Sequence, residues 1–191
     1  MPTLSLTGDT DADRLLSDNA FALLVGMLLD QQIAMELAFV GPRRLADRLG
    51  GTLDPATVAA TDPDELEAHF RTKPALHRYP GSMAKRVHAL AVHLVEEHDG
   101  DASKVWDEAS SGADLLKRLK ALPGFGEQKA RIFLALLGKQ CGVTPQGWQE
   151  AAGDYGLDGY RSIADVTSEE TLAKVRAFKQ AQKAAKKAAA S

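Results

Sequence analysis

Residues 115–138 read LLKRLKALPGFGEQKARIFLALLG. Leu115, Leu116, Leu119 and Leu122 mark one apolar helix face. Ile132, Phe133, Leu134, Leu136 and Leu137 fill a second helix. These spacings predict helices over 113–121 and 128–138, with Leu-Pro-Gly-Phe-Gly (122–126) between them. Pro123 forces the turn, and Gly124 and Gly126 can take backbone conformations closed to other residues. Phe125 is apolar and anchors the turn in the core. The second helix begins at once, so several unpaired N–H groups point outward at its positive dipole end. Main chain without Cβ atoms makes an anion site there, suited to a phosphodiester and blind to base sequence. Lys129, one turn in, adds a cation for the same anion.

Helix signals continue outward from this hairpin. Upstream, Asp18 is the expected cap of an apolar helix carrying Phe21, Leu24 and Leu28 on one face. A second run, Ile33, Leu37, Val40 and Leu45, follows, with Gly41-Pro42 as an expected break or new start. Asp54-Pro55 and Asp62-Pro63 read as N-cap and first helical residue, and Glu65 completes a capping box at the second. Another helix is expected from Ser82. Downstream, residues 142–160 read as a loop rich in Gly, Asp and Tyr. Thr167 and Glu170 read as a capping box for a last helix. From Lys179 the chain is nearly all Ala, Lys and Gln, with no apolar face beyond alanine, and is expected to fray or be disordered. Strand patterning is almost absent, so the fold class is all-α.

The 191 residues are 45% apolar and 26% charged, an ordinary globular balance. The single cysteine, Cys141, excludes a disulfide framework and a thiolate-ligated cluster. No apolar run has the length of a bilayer span, and no secretory leader pattern opens the chain, so a cytoplasmic protein is expected. The net charge is −3, unevenly spread. Residues 1–114 hold 10 Lys/Arg and 19 Asp/Glu, whereas residues 115–191 hold 13 and 7. A basic half carrying the hairpin suits a polyanion partner.

The hairpin resembles the helix-hairpin-helix motif, and the wider chain resembles the HhH-GPD superfamily of base-excision DNA glycosylases. The apolar run Phe21 to Leu29 closing on Asp30-Gln31-Gln32-Ile33, and Gly81-Ser-Met-Ala-Lys-Arg-Val-His-Ala-Leu90, carry the rest of the likeness over roughly residues 15–140. The resemblance implies a two-lobed helical fold, with a bundle over 18–122, a second lobe from 1–17 plus 123–178, and a basic tail at 179–191. It implies a monomer acting on double-stranded DNA that holds a damaged or mismatched base, nucleoid-associated if the source is bacterial. The base is flipped into a cleft and its N-glycosidic bond cut. A catalytically inactive lesion sensor of the same fold is the alternative. Gln31 and Gln32 stand where relatives enter the duplex or line the pocket. Pro123, Gly124, Phe125, Gly126, Gln128 and Lys129 form the implied DNA-binding hairpin.

The catalytic positions depart from the family pattern. Its aspartate is sought after the hairpin in a Val-Asp setting, where Val143-Thr144 stands, and residues 137–149 hold no acid. Asp154, in Gly-Asp-Tyr-Gly, is the first candidate replacement, and Asp30, before the glutamines, is the second. Glu150 and Asp158 lie nearby. Trp148, Tyr155 and Tyr160 offer aromatic faces to an extruded base. Bifunctional relatives use a hairpin lysine as a Schiff base, and Gln128 occupies that position. Lys129 is about 100° further around the helix, so it is expected to meet phosphate, and no lyase activity is expected. No iron–sulfur cluster is expected, and a monovalent cation at the hairpin is compatible with the motif.

Overall fold

In the computed structural model, which describes residues 3–190, helix α2 (Ala20–Leu29) runs through the interior. Phe21 to Leu29 are all buried. A helix apolar all round has no face to give to water, so the chain must wrap it. Asn19 starts it, accepting from the Ala22 amide and donating to the Leu53 carbonyl at 2.7 Å. The cap is thus one residue later than Asp18. Asp18 instead closes α1 (Thr10–Asp18), capped by Asp9, a helix whose three acids and short apolar stripe hid it from periodicity.

Helix α3 (Met35–Arg48) crosses α2 and passes through Gly41-Pro42 unbroken. The expected break fails because the crossing needs that glycine. A Cβ on Gly41 would stand 2.7 Å from Leu29 Cδ1, and one on Gly26 would stand 2.6 Å from the Phe39 ring. Close packing outweighs the lost amide of Pro42. Helices α4 (Pro55–Ala60) and α5 (Pro63–Arg71) begin at the expected Asp-Pro pairs. Glu65 lies 3.8 Å from His69, one turn on. Helix α6 (Pro80–His98), two residues longer at its start than expected, packs on both.

The second half follows with α7 (Lys104–Asp107), α8 (Gly112–Ala121) and α9 (Glu127–Gln140). The stretch read as a loop contains α10 (Trp148–Ala152) and a 3-10 turn at Gly153–Gly156. Helices α8, α9 and α10 pack on one another. Trp148 lies against Gly138, and Gly112 against the backbone of Gly147. A Cβ at Gly112 would stand 2.4 Å from the Gly147 carbonyl oxygen. Backbone cannot swing aside as a side chain can, so Gly112→Ala is expected to destabilise the protein by about 2 kcal/mol. A shifted urea midpoint at unchanged slope checks this.

Helix α11 (Glu169–Ala189) starts at Ser168, and Thr171, not Glu170, completes its capping box. It continues through Ala189, where the sequence predicts fraying or disorder. Only Leu172 and Val175 are buried, so packing holds the first turns and alanine and lysine propensity carries the rest. Residues 1, 2 and 191, part of the expected second lobe and tail, lie outside the described residues. The described residues contain no strand, and none of their helices is long and apolar enough to cross a membrane. The buried apolar side chains form one continuous core.

Candidate nucleic-acid interface

The hairpin turn is shaped by two glycines with different tasks. Gly124 has φ +83°, a left-handed conformation, and a Cβ there would also strike Leu28 at 2.4 Å. It lets the turn lie on α2. Gly126 has an extended backbone and open space where a Cβ would be. Phe125 between them is 4% exposed and packs edge-on against Phe133, with ring centres 6.0 Å apart. Its N–H donates to the Leu122 carbonyl, so neither its side chain nor its amide faces outward. Of the expected DNA-binding residues, Phe125 is thus the one that anchors the turn in the core.

The usable amides lie further on. No side chain caps α9, and its first backbone i→i−4 bond is from Ala130 to Gly126. Gly126, Glu127 and Gln128 are exposed. The positive end of a 14-residue helix therefore faces solvent. Glu127, an acid in this first turn, is tied to Lys120 and Arg131. These two cations hold its carboxyl below the usual range.

Lys129 does not point to that surface. Its ammonium donates to the carbonyls of Met27 (2.6 Å), Leu28 (3.0 Å) and Asp30 (3.4 Å). It lies against the negative C-terminal end of α2, so the expected phosphate contact is not the one the structure gives it. Burial pulls its pKa down to about 8, with the Asp30 carboxylate pulling the other way.

Between α2's end and α9 lies a cleft of about 450 Å³. Asp30, Gln31 and Gln32 line it from the end of α2, Gln128, Lys129 and Ile132 from α9, and Tyr155, Arg161 and Lys179 are among the other lining residues. The Asp30 side chain is 10% exposed, and its carboxylate is 4.0 Å from Lys179 Nζ. Burial raises its pKa, and Lys179 and then Lys129 oppose that. Gln32 is exposed with φ +58°. A side-chain-bearing residue held left-handed costs on the order of 1 kcal/mol, a strain that collects at functional sites. Gln31 is fixed through its carbonyl, which accepts from His77 Nε2 at 2.9 Å, while His77 Nδ1 accepts from the Tyr79 amide. Both ring nitrogens are thus used by a neutral imidazole, and burial keeps its pKa low. Gln128 donates its side-chain amide to the Tyr155 hydroxyl at 2.9 Å.

Asp154 is elsewhere. It is exposed and lines a different, acidic cleft of about 460 Å³ with Glu150 and Asp158. Its neighbour Tyr155 turns into the Asp30 cleft, because successive residues of a tight turn face different ways. Asp30, the second candidate in sequence, is the acid that the structure brings beside the glutamines and the hairpin. Thr144 is exposed. Trp148 packs on the core, and Tyr160 lies beside Lys174. The sequence reading missed His77, Arg161 and Ile132. The His77–Gln31 link spans 46 residues and leaves no local signal. Lys179, where the sequence predicts the tail to begin, reaches the cleft because α11 continues past it.

A family model described as HhH-GPD superfamily base excision DNA repair protein matches residues 25–191. Curated proteins and solved structures yield no significant match.

Proposed function

The chain belongs to the HhH-GPD superfamily of base excision DNA repair proteins, and from that premise we propose that it is a monofunctional DNA glycosylase whose acid is Asp30. The observation that carries this reading is the low exposure of the Asp30 carboxyl in the cleft shared by Gln31, Gln32 and the start of α9. The exposed amides of Gly126 to Gln128 grip a phosphodiester and set the duplex over the cleft. Gln32, held out in its left-handed turn, fills the gap left in the stack. The flipped base enters between Gln31 and the Gln128–Tyr155 pair, at an unstacking cost of a few kcal/mol that is least for a badly paired base.

The bond broken is between C1′ of the sugar and the base nitrogen. Its electron pair leaves with the base, and positive charge develops on the sugar. The ionised Asp30 carboxylate stabilises that charge. A water oxygen then bonds to C1′, and its proton passes to Asp30. This role needs Asp30 ionised, so excision falls as pH drops through its raised pKa. Lys179 works against the raising, and Lys179→Met is expected to move the acid limb of the rate profile to higher pH. A limb that stays in place contradicts the assignment.

Incubating the protein with duplexes that each carry a different damaged base, then cleaving with hot alkali, tests the reading. Strand breaks at one lesion class only after alkali are expected, with no adduct trapped by borohydride. The empty acid position at 137–149 favours a second reading, a lesion-binding protein without chemistry. It predicts tight binding to damaged duplexes and no break in any of them.

A further inference from the structure

The Lys129 ammonium is only part-buried, yet it is spent on main-chain carbonyls rather than on solvent or an acid side chain. All three carbonyls belong to the last turn of α2 and the residue that follows it. Asp30 is itself one of them, and Gln31 and Gln32 follow directly. Lys129 itself lies in the first turn of α9, directly after the exposed amides of the hairpin. We propose that Lys129 is a positioning residue for base excision: it bolts the phosphate-gripping end of α9 to the end of α2, so that the Asp30 carboxyl and the Gln31–Gln32 turn keep a fixed distance from the bound strand. This deepens the glycosylase reading and rests on it.

The alternatives for a lysine here are a phosphate contact and a nucleophile. Both need a free amine. An ammonium has three hydrogens to donate, and the two shortest of its three carbonyl contacts, 2.6 and 3.0 Å, are ordinary charge-assisted bonds. The fixed charges around it are Asp30 at the end of α2, Arg86 on α6 and Lys179 on α11. His77, before α6, also feels its charge. Arg86 and Lys179 repel the ammonium, and burial disfavours it, so its pKa is drawn down to about 8. A part-buried cation kept against that pull serves geometry better than stability.

A positioning lysine separates rate from affinity. In Lys129→Met, duplex affinity is expected to stay within about 3-fold, with an unchanged salt slope, while single-turnover excision at saturating protein falls roughly 100-fold, the usual penalty for a misplacement near 1 Å. A loss of affinity of tenfold or more, with a salt slope lower by about 0.9 and a normal rate at saturation, would make Lys129 a phosphate contact and overturn the proposal. The unmodified protein supplies a second readout that needs neither a folded variant nor activity. With 15N labelling, the Lys129 Nζ signal is expected to titrate below the ordinary lysine range, and the Gln31 and Gln32 amides are expected to shift with the same midpoint. Glutamine amides indifferent to that titration would overturn the bolt. If no duplex is excised but the amides still follow Lys129, the bolt stands and the glycosylase reading is what has failed.

Discussion

Asp30→Asn is expected to abolish base excision while leaving the protein folded and bound to DNA. The carboxylate stabilises a developing positive charge and accepts a proton, and an amide of the same shape does neither. Removing one such group costs about 100- to 10,000-fold, and single-turnover rates are the measure. The fold should tolerate the change, since the Asp30 backbone, not its side chain, ends α2 and its carboxyl pays for burial. Stability is expected to hold or rise slightly. Asp154→Asn is the control. Asp154 is exposed and outside the Asp30 cleft, so its variant is expected to work within about 3-fold of the parent. A dead Asp154→Asn and an active Asp30→Asn would reverse the assignment.

Gly126→Leu is the second large effect, and its value lies in contrast with Gly124. At Gly126 the backbone is extended and a Cβ meets nothing. The fold therefore has no objection, and the melting temperature is expected to stay within a degree or two. The open space is where a phosphate must approach the amides of residues 126–128. A leucine there blocks it and is expected to weaken duplex binding at least tenfold, damaged and undamaged alike, because backbone contacts carry no base information. Gly124→Leu instead meets both a left-handed φ and Leu28, and is expected to unfold the hairpin outright. Unchanged affinity in Gly126→Leu would remove the hairpin from the interface.

The hairpin was legible in the sequence because everything it needs is local. Leu-Pro-Gly-Phe-Gly sets the turn, and the flanking apolar residues set both helices. The Asp-Pro caps of α4 and α5 were legible for the same reason. What failed was decided at long range. Gly41-Pro42 reads as a break until Leu29 is known to press on that glycine. Lys129 reads as a phosphate ligand until α2 is known to end beneath it. Chain order after the hairpin puts Asp154 before Asp30 as a candidate, and only the fold shows that the two acids line different clefts. That Asp30 also lines the cleft beside Gln128 and Lys129 depends on how α2 meets α9, and no spacing encodes that. The tail was misjudged in another way: it has no apolar face beyond alanine, and it is helical because it continues the capped and packed start of α11.

The most direct measurement is a crystal structure of the Asp30→Asn protein bound to a duplex carrying the base it removes. The expected result is a nucleotide turned out of the stack into the cleft between Gln31 and Gln128, Gln32 in the vacated space, and a phosphate oxygen on the amides of residues 126–128. A duplex that stays stacked with no phosphate at those amides, or an extruded base lodged beside Asp154, would contradict it.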